Sequence, residues 1–292
     1  TNVKEEELMK SKRIIINSSI ILIFLVIVVG VAFYKLFGES SKEINASKQF
    51  MSKLYSMNAV DTTEKLTNLK YERLKVINSQ NELVNKTIVT QSYGIDLDKE
   101  NNVVGFAKKD MKMSSSKLSE SEAKTIAERY LMEICGNDLI YEDTKNEDDL
   151  PYYSFVYKKK ENGYRLYFDE IKINIDRDSG YIDGYSNTTM LKKCMEPKIN
   201  ISQEEAETIA NNYFIENNIP YELLETTELV YAGNTKTEKN KNNQLEVCYV
   251  VSVKAKNSDE SQVLIKIFVN ADSGEIYNVI KENGESKVLT VN

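Results

Sequence analysis

Polar and apolar positions follow three different rhythms along this chain. Residues 14–34 read IIINSSIILIFLVIVVGVAFY, with no charge and only Asn17, Ser18 and Ser19 as polar interruptions. As a helix at ~1.5 Å per residue the run spans roughly 30 Å, the thickness of a bilayer core. It is longer than the apolar region of a cleaved signal peptide, and no convincing cleavage motif follows it. The expectation is a cytoplasmic N-terminus over 1–13, then an uncleaved transmembrane signal anchor over 14–37. Lys10, Lys12 and Arg13 stand before the span and Lys35 alone close behind it. That asymmetry places the rest of the chain outside the membrane.

The second rhythm is helical and occurs twice. Ala123, Ile126, Ala127, Tyr130, Leu131 and Ile134 recur at i, i+3, i+4, i+7, i+8, and Ala206, Ile209, Ala210, Tyr213 and Phe214 repeat the stripe. Each stripe is preceded by S-x-x-E, as Ser119/Glu122 and Ser202/Glu205, the pattern of a capping box. The third rhythm is strand alternation. Residues 152–157, 164–168, 171–175 and 181–185 are β-prone, as are 245–253, 262–269 and 275–280. The dipeptide Asn162-Gly163 marks a hairpin. A second turn runs from Asp176 to Gly180 and returns from Asn270 to Gly274, its glycine suited to positive φ.

A helix start and a hairpin turn therefore recur as one unit. Upstream, residues 95–104 align with the two hairpins. Asp98 takes the place of Asp176 and Asn270, and Asn102 falls where Gly180 and Gly274 stand. This unit is expected to have a helix over 44–57 and strands over 71–76, 87–97 and 103–107. The predicted organisation is α+β: one N-terminal transmembrane helix, then two or three modules of a helix on a small antiparallel sheet, over 43–113, 114–195 and 198–284, with a tail at 285–292. The polar stretch 235–243 reads as an exposed loop.

Composition narrows the chemistry. Of 292 residues, 41% are hydrophobic and 28% charged, an ordinary globular balance, and the net charge of -7 with no basic stripe argues against a nucleic-acid partner. Histidine is absent, which removes the usual general base and the commonest metal ligand. Cys135, Cys194 and Cys248 match no metal or redox spacing. Asp176, Asp178 and Asp183 around Gly180 begin like a calcium loop, but no acidic residue closes it in register. A hairpin whose side chains bond their own backbone is the alternative. No acid/base pair recurs between units. No cofactor, metal or small-molecule substrate is expected. Tyrosines crowd the first complete unit, and Tyr153, Tyr157, Tyr164, Tyr167 and Tyr185 read either as ordinary strand packing or as an exposed aromatic face that docks a partner.

The pairing of S-x-x-E-A-x-x-I-A with D-x-x-x-G-x-I resembles the PepSY domain family. Ser119, Glu122, Ala123, Ile126 and Ala127 with Asp176, Gly180 and Ile182 carry it once. Ser202, Glu205, Ala206, Ile209 and Ala210 with Asn270, Gly274 and Ile276 carry it again, asparagine replacing the aspartate. The membrane-anchored tandem layout is similar to the YpeB germination proteins, although their long helical region between anchor and repeats has no counterpart here. The resemblance implies a non-catalytic, extracytoplasmic protein that regulates or stabilises a cell-envelope partner, such as a spore-cortex or other wall hydrolase, or a protease. The alternative is a YycI-like regulatory subunit of a membrane sensor kinase, with Asn17, Ser18, Ser19 and Gly30 marking a helix–helix face.

Overall fold

The computed structural model describes residues 39–63, 69–74, 83–110, 117–145, 150–190, 192–217, 219, 221–234, 243–256 and 262–282. The expected membrane span, most of the 235–243 loop and the 285–292 tail lie outside them. No helix among the described residues is long and apolar enough to cross a membrane.

Alternation and helical stripe resolve into three turns of one plan, each a helix followed by an antiparallel meander of four principal strands. The first is α1 (Glu39–Ser56) with β1 (Glu72–Leu74), β2 (Lys86–Val89), β3 (Tyr93–Leu97) and β4 (Val103–Lys108). The second is α2 (Glu120–Cys135) with β5 (Leu139–Lys145), β6 (Tyr152–Glu161), β8 (Ile171–Asp176) and β9 (Ile182–Asn187), a short β7 (Tyr164–Leu166) being inserted after β6. After β10 (Lys193–Cys194), the third is α3 (Gln203–Glu216) with β11 (Tyr221–Ala232), β12 (Gln244–Lys256), β13 (Gln262–Asn270) and β14 (Ile276–Glu282).

The strands join into one sheet in the order β1-β2-β3-β4-β9-β8-β6-β7-β11-β12-β13-β14, with β5 on the other edge of β6 and β10 beside β12. The first two units meet through their last strands, with Gly105, Phe106 and Ala107 opposite Ser186, Tyr185 and Gly184. The third attaches through two parallel pairs, β7 on β11 and β10 on β12.

Because strand side chains alternate, one face of the β1–β9 sheet takes the helices and the other faces away from them. Met51 and Leu54 of α1 share a core with Ala123, Ala127 and Leu131 of α2 and with Ile95, Phe155, Ile173 and Ile175 of the sheet. Ala206, Ala210 and Phe214 of α3 form a separate core on Val251, Ile267 and Val269. The opposite face of the first two units is polar and small: Lys172, Ser186, Gly105 and Asp96 follow one another across adjacent strands.

Several expectations need correction. The strand expected over 87–97 is two strands, since the Thr90 hydroxyl accepts from the Tyr93 amide (3.0 Å) and the Thr90 amide donates to the Tyr93 carbonyl (2.8 Å), closing a turn. The strand expected over 164–168 ends at Leu166 and bridges two units, pairing with β6 of its own on one side and with β11 of the third on the other. β5 and β11 were not foreseen. In the first hairpin, Asn101 and not Asn102 adopts positive φ (67°). Its closing bond, from the Asp98 amide to the Asn102 carbonyl, spans one residue fewer than that from Asp176 to Tyr181. The left-handed position therefore moves back by one, to an asparagine that tolerates it.

Candidate functional site: the clamped helix starts and the seam between two units

Both capping boxes form. The Ser119 amide donates to Glu122 Oε2 (2.8 Å) and the Glu122 amide to Ser119 Oγ (3.3 Å); Ser202 and Glu205 repeat this at 2.7 and 3.2 Å. Hydrogen bonds from Ser119 hold the Glu122 carboxyl below the usual carboxylate range. The residue before each cap is clamped to the hairpin turn. The amides of Lys117 and Leu118 donate to the Arg177 carbonyl, and those of Asn200 and Ile201 to the Ala271 carbonyl. A tyrosine hydroxyl closes each clamp, Tyr153 donating to the Leu118 carbonyl and Tyr249 to that of Ile201, both at 3.1 Å.

The turns are built alike. Asp176 Oδ1 accepts from the amides of Asp178 and Ser179 and from the Ser179 hydroxyl, and Asn270 Oδ1 accepts from the equivalent groups of Asp272 and Ser273. Asp98 Oδ1 accepts from the amides of Glu100 and Asn102. Gly180 (φ 73°) and Gly274 (φ 74°) lie under the helix: an added Cβ would stand 3.1 Å from Ile126 Cδ1 in one and 3.0 Å from Ile209 Cδ1 in the other. The residues the sequence singled out as recurring are thus brought together in pairs, cap over turn, and their polar atoms are occupied there. Asp178 pairs with Lys117 (2.8 Å), and Asp183 stands apart beyond the turn. Among the described residues no three of Asp, Glu and Cys gather as metal ligands.

The five tyrosines do not form an exposed aromatic face. Tyr157 and Tyr185 are buried in the shared core, and Tyr153 packs beneath Arg177, 4.4 Å from its guanidinium carbon. Tyr164 packs edge-on against Tyr231, and Tyr167 against Phe268. The alternation that sets Phe155 and Tyr157 toward the helices leaves the other face to Ser154, Val156 and Lys158.

What the structure adds is a cavity of about 530 Å³ at the seam, between α1, the C-terminal end of α2, the first hairpin turn and the end of β9. Phe50 of α1 lies over the seam pair, its ring centroid 5.8 Å from Phe106 and 6.2 Å from Tyr185. Cys135 Sγ stands 3.3 Å from the Tyr185 hydroxyl, which accepts from Asn187 Nδ2 (3.1 Å). Burial pushes the Cys135 thiol up, with Lys53 and Lys159 opposing the shift, and burial pushes the Tyr185 hydroxyl well up. Both groups are held neutral, so the thiol is a poor nucleophile. The other thiols are also free; burial pushes Cys194 up to about 11 and Cys248 higher. The cavity residues Asn101, Cys135 and Asn187 do not recur between units, so repeat comparison had no signal for them. They meet only because β4 and β9 pair.

Residues 85–189, from the first unit's second strand to the end of the second unit, match the family model DUF4901, the YcdB, YcdC repeated domain. None of the curated proteins matches the chain. Among solved structures it is similar to the Bacillus megaterium YpeB C-terminal domain, at 20% identity with a TM-score of 0.45, over 74% of this chain and 90% of that one.

Proposed function

We propose that this chain is a non-catalytic, membrane-anchored extracytoplasmic binding protein, made of three PepSY-like modules, that regulates or stabilises a cell-envelope partner. One observation carries the reading. The side chains that recur at the caps and turns are consumed in holding each helix start to its turn, whereas the seam cavity is lined by Asn101, Cys135 and Asn187, which do not recur. A scaffold conserved inside one chain, with variation gathered around a cavity, suits recognition. The resemblance of the anchored tandem layout to that of YpeB germination proteins puts a spore-cortex hydrolase first among the partners, ahead of other wall hydrolases and proteases. Residues 14–37 would anchor the chain with its N-terminus in the cytoplasm.

The test is recovery of the tagged full chain from solubilised native membranes under mild crosslinking. A wall hydrolase or protease enriched in near-stoichiometric amount supports the proposal. Recovery of the chain with no envelope protein at any growth stage counts against it.

A further inference from the structure

The β4–β9 seam has a local two-fold relation. Leu97 pairs with Val103 and Asp96 with Gly105 across a bulge; Ile175 pairs with Ile182 and Asn174 with Gly184 across the same bulge. Gly105 and Phe106 thus hold the places of Gly184 and Tyr185, and the seam register centres on the Phe106/Tyr185 pair. Val103 and Ile182 are mates under this relation.

The two mates have different surroundings. On one side, α1 ends with Asn58 at φ 54°, the amides of Asn58 and Ala59 returning to the carbonyls of Tyr55 and Leu54. This left-handed stop directs residues 58–60 against α2 and the second hairpin. The Ala59 carbonyl accepts from the Ile182 amide at 2.8 Å, the Asn58 carbonyl accepts from the Tyr130 hydroxyl at 3.2 Å, and Ala59 and Val60 are fully buried. On the other side, α2 stops at Gly136 (φ 87°) and the chain turns straight into β5, leaving no such segment. There lies the cavity of about 530 Å³, with Val103 in its wall. The bond from the Asp98 amide to the Asn102 carbonyl makes that the hydrogen-bonded pair, so at Val103 the ladder turns the amide away from β3. Among the described residues no backbone carbonyl meets it. Asn101 Oδ1, also of the cavity wall, is buried without a hydrogen-bond partner.

We infer that the seam cavity binds an extended peptide segment of a partner protein, in the manner in which residues 58–60 fill its mate. A peptide backbone offers what the site lacks, a carbonyl for the Val103 amide. The space around Phe50, Ile134 and Ile171 takes small aliphatic side chains, as Ala59 and Val60 are taken opposite. Lys53 and Lys159 also stand in the wall, the first donating to the Glu133 carbonyl and the second paired with Glu161 at 3.2 Å. The inference deepens the binding reading by naming where and what kind of segment is bound.

The probe is a dye-labelled peptide with the sequence of residues 56–61, Ser-Met-Asn-Ala-Val-Asp, titrated by fluorescence anisotropy against the full chain in detergent micelles. The expected result is saturable binding, at least tenfold weaker for the same peptide with lysines in place of Ala and Val. Gln49→Trp and Met190→Trp, at exposed positions of the wall, fill the cavity and are each expected to weaken binding at least tenfold; if one fails to fold, the other decides. Absence of saturable binding to the unmodified chain, or undiminished binding to a folded filled variant, overturns the inference. The two readings separate in the membrane recovery experiment. A partner recovered equally well by the filled variants removes the peptide site and leaves the binding function standing. No recovered partner removes the binding function, while the titration still decides the cavity.

Discussion

Replacing Gly180 by alanine tests whether the turn and the helix start are one mechanical unit. At φ 73° an L-residue in the left-handed region costs about 1–2 kcal/mol. The new methyl would also stand 3.1 Å from Ile126 Cδ1 and 3.2 Å from Leu118 Cδ1, tighter than ordinary contact. Overpacking of this kind adds about 1–3 kcal/mol. Gly163 is the control: its φ is 85° and nothing lies within 4 Å of an added Cβ, so alanine there meets the backbone cost alone. Urea unfolding of the full chain, followed by tyrosine fluorescence, is expected to show Gly180→Ala losing about 2–5 kcal/mol and Gly163→Ala about 1–2 kcal/mol. Adding Ile126→Ala to Gly180→Ala relieves the crowding, so the double variant should lose less than the two single losses combined. Equal costs at the two glycines, together with additive behaviour of the double variant, would refute the argument that the turn is packed under the helix.

Ser119→Ala and Ser202→Ala each remove the side-chain half of a cap and should each cost about 1 kcal/mol in the same unfolding assay, with a further loss when Glu122 or Glu205 is then changed, since the carboxylate still accepts from the backbone amide of the cap residue. Lys86→Met leaves the buried Glu43 carboxylate, among the described residues, with Arg73 alone at 3.7 Å and should cost about 3–5 kcal/mol; a loss under 1 kcal/mol would show that the pair is solvated. Burial raises the Asp183 carboxyl, with Lys108 opposing and Asp176 reinforcing. The folded state then holds that proton more tightly than the unfolded chain. This contribution therefore makes stability rise as pH falls from the raised value toward the ordinary carboxylate range, and the charged form weakens the fold above that window. Asp183→Asn should stabilise the chain at pH 7 and steepen the loss of stability on acidification, because the relief that Asp183 gains on protonation is gone; destabilisation at pH 7 with an unchanged acid limb would contradict the assignment.

Local signals were legible where one residue type has one structural use. Ser119 and Ser202 cap because serine followed by glutamate three residues on satisfies two helix-end amides, and that needs no tertiary context. The Asp176 and Asn270 turns were equally plain. The first hairpin was harder: Asn102 aligned with the turn glycines, but the turn is one residue shorter and Asn101 carries the left-handed conformation. The tyrosines were ambiguous because alternation says that two faces exist, not which is covered; the helices cover the face bearing Tyr157 and Tyr185. The clamp tyrosines Tyr153 and Tyr249 play one role in two units, yet they stand at different distances from their caps, so repeat alignment did not pair them. β5 and β11 were missed because they mix charged and apolar residues without clean alternation, as in LIYEDTK, and exist through pairing with β6 and β12. The seam lay beyond sequence reasoning, since it arises from strands of two units closing on each other.

The central claim is that the chain acts by holding a partner and not by chemistry of its own. The most direct measurement is an assay of the purified full chain for hydrolysis of peptidoglycan and of protein substrates, alone and with the envelope partner recovered from membranes. The account predicts no hydrolysis by the chain alone and a changed rate or lifetime of the partner's activity when the chain is added. Hydrolysis by the chain alone, abolished by a single Asp or Glu substitution, would contradict it.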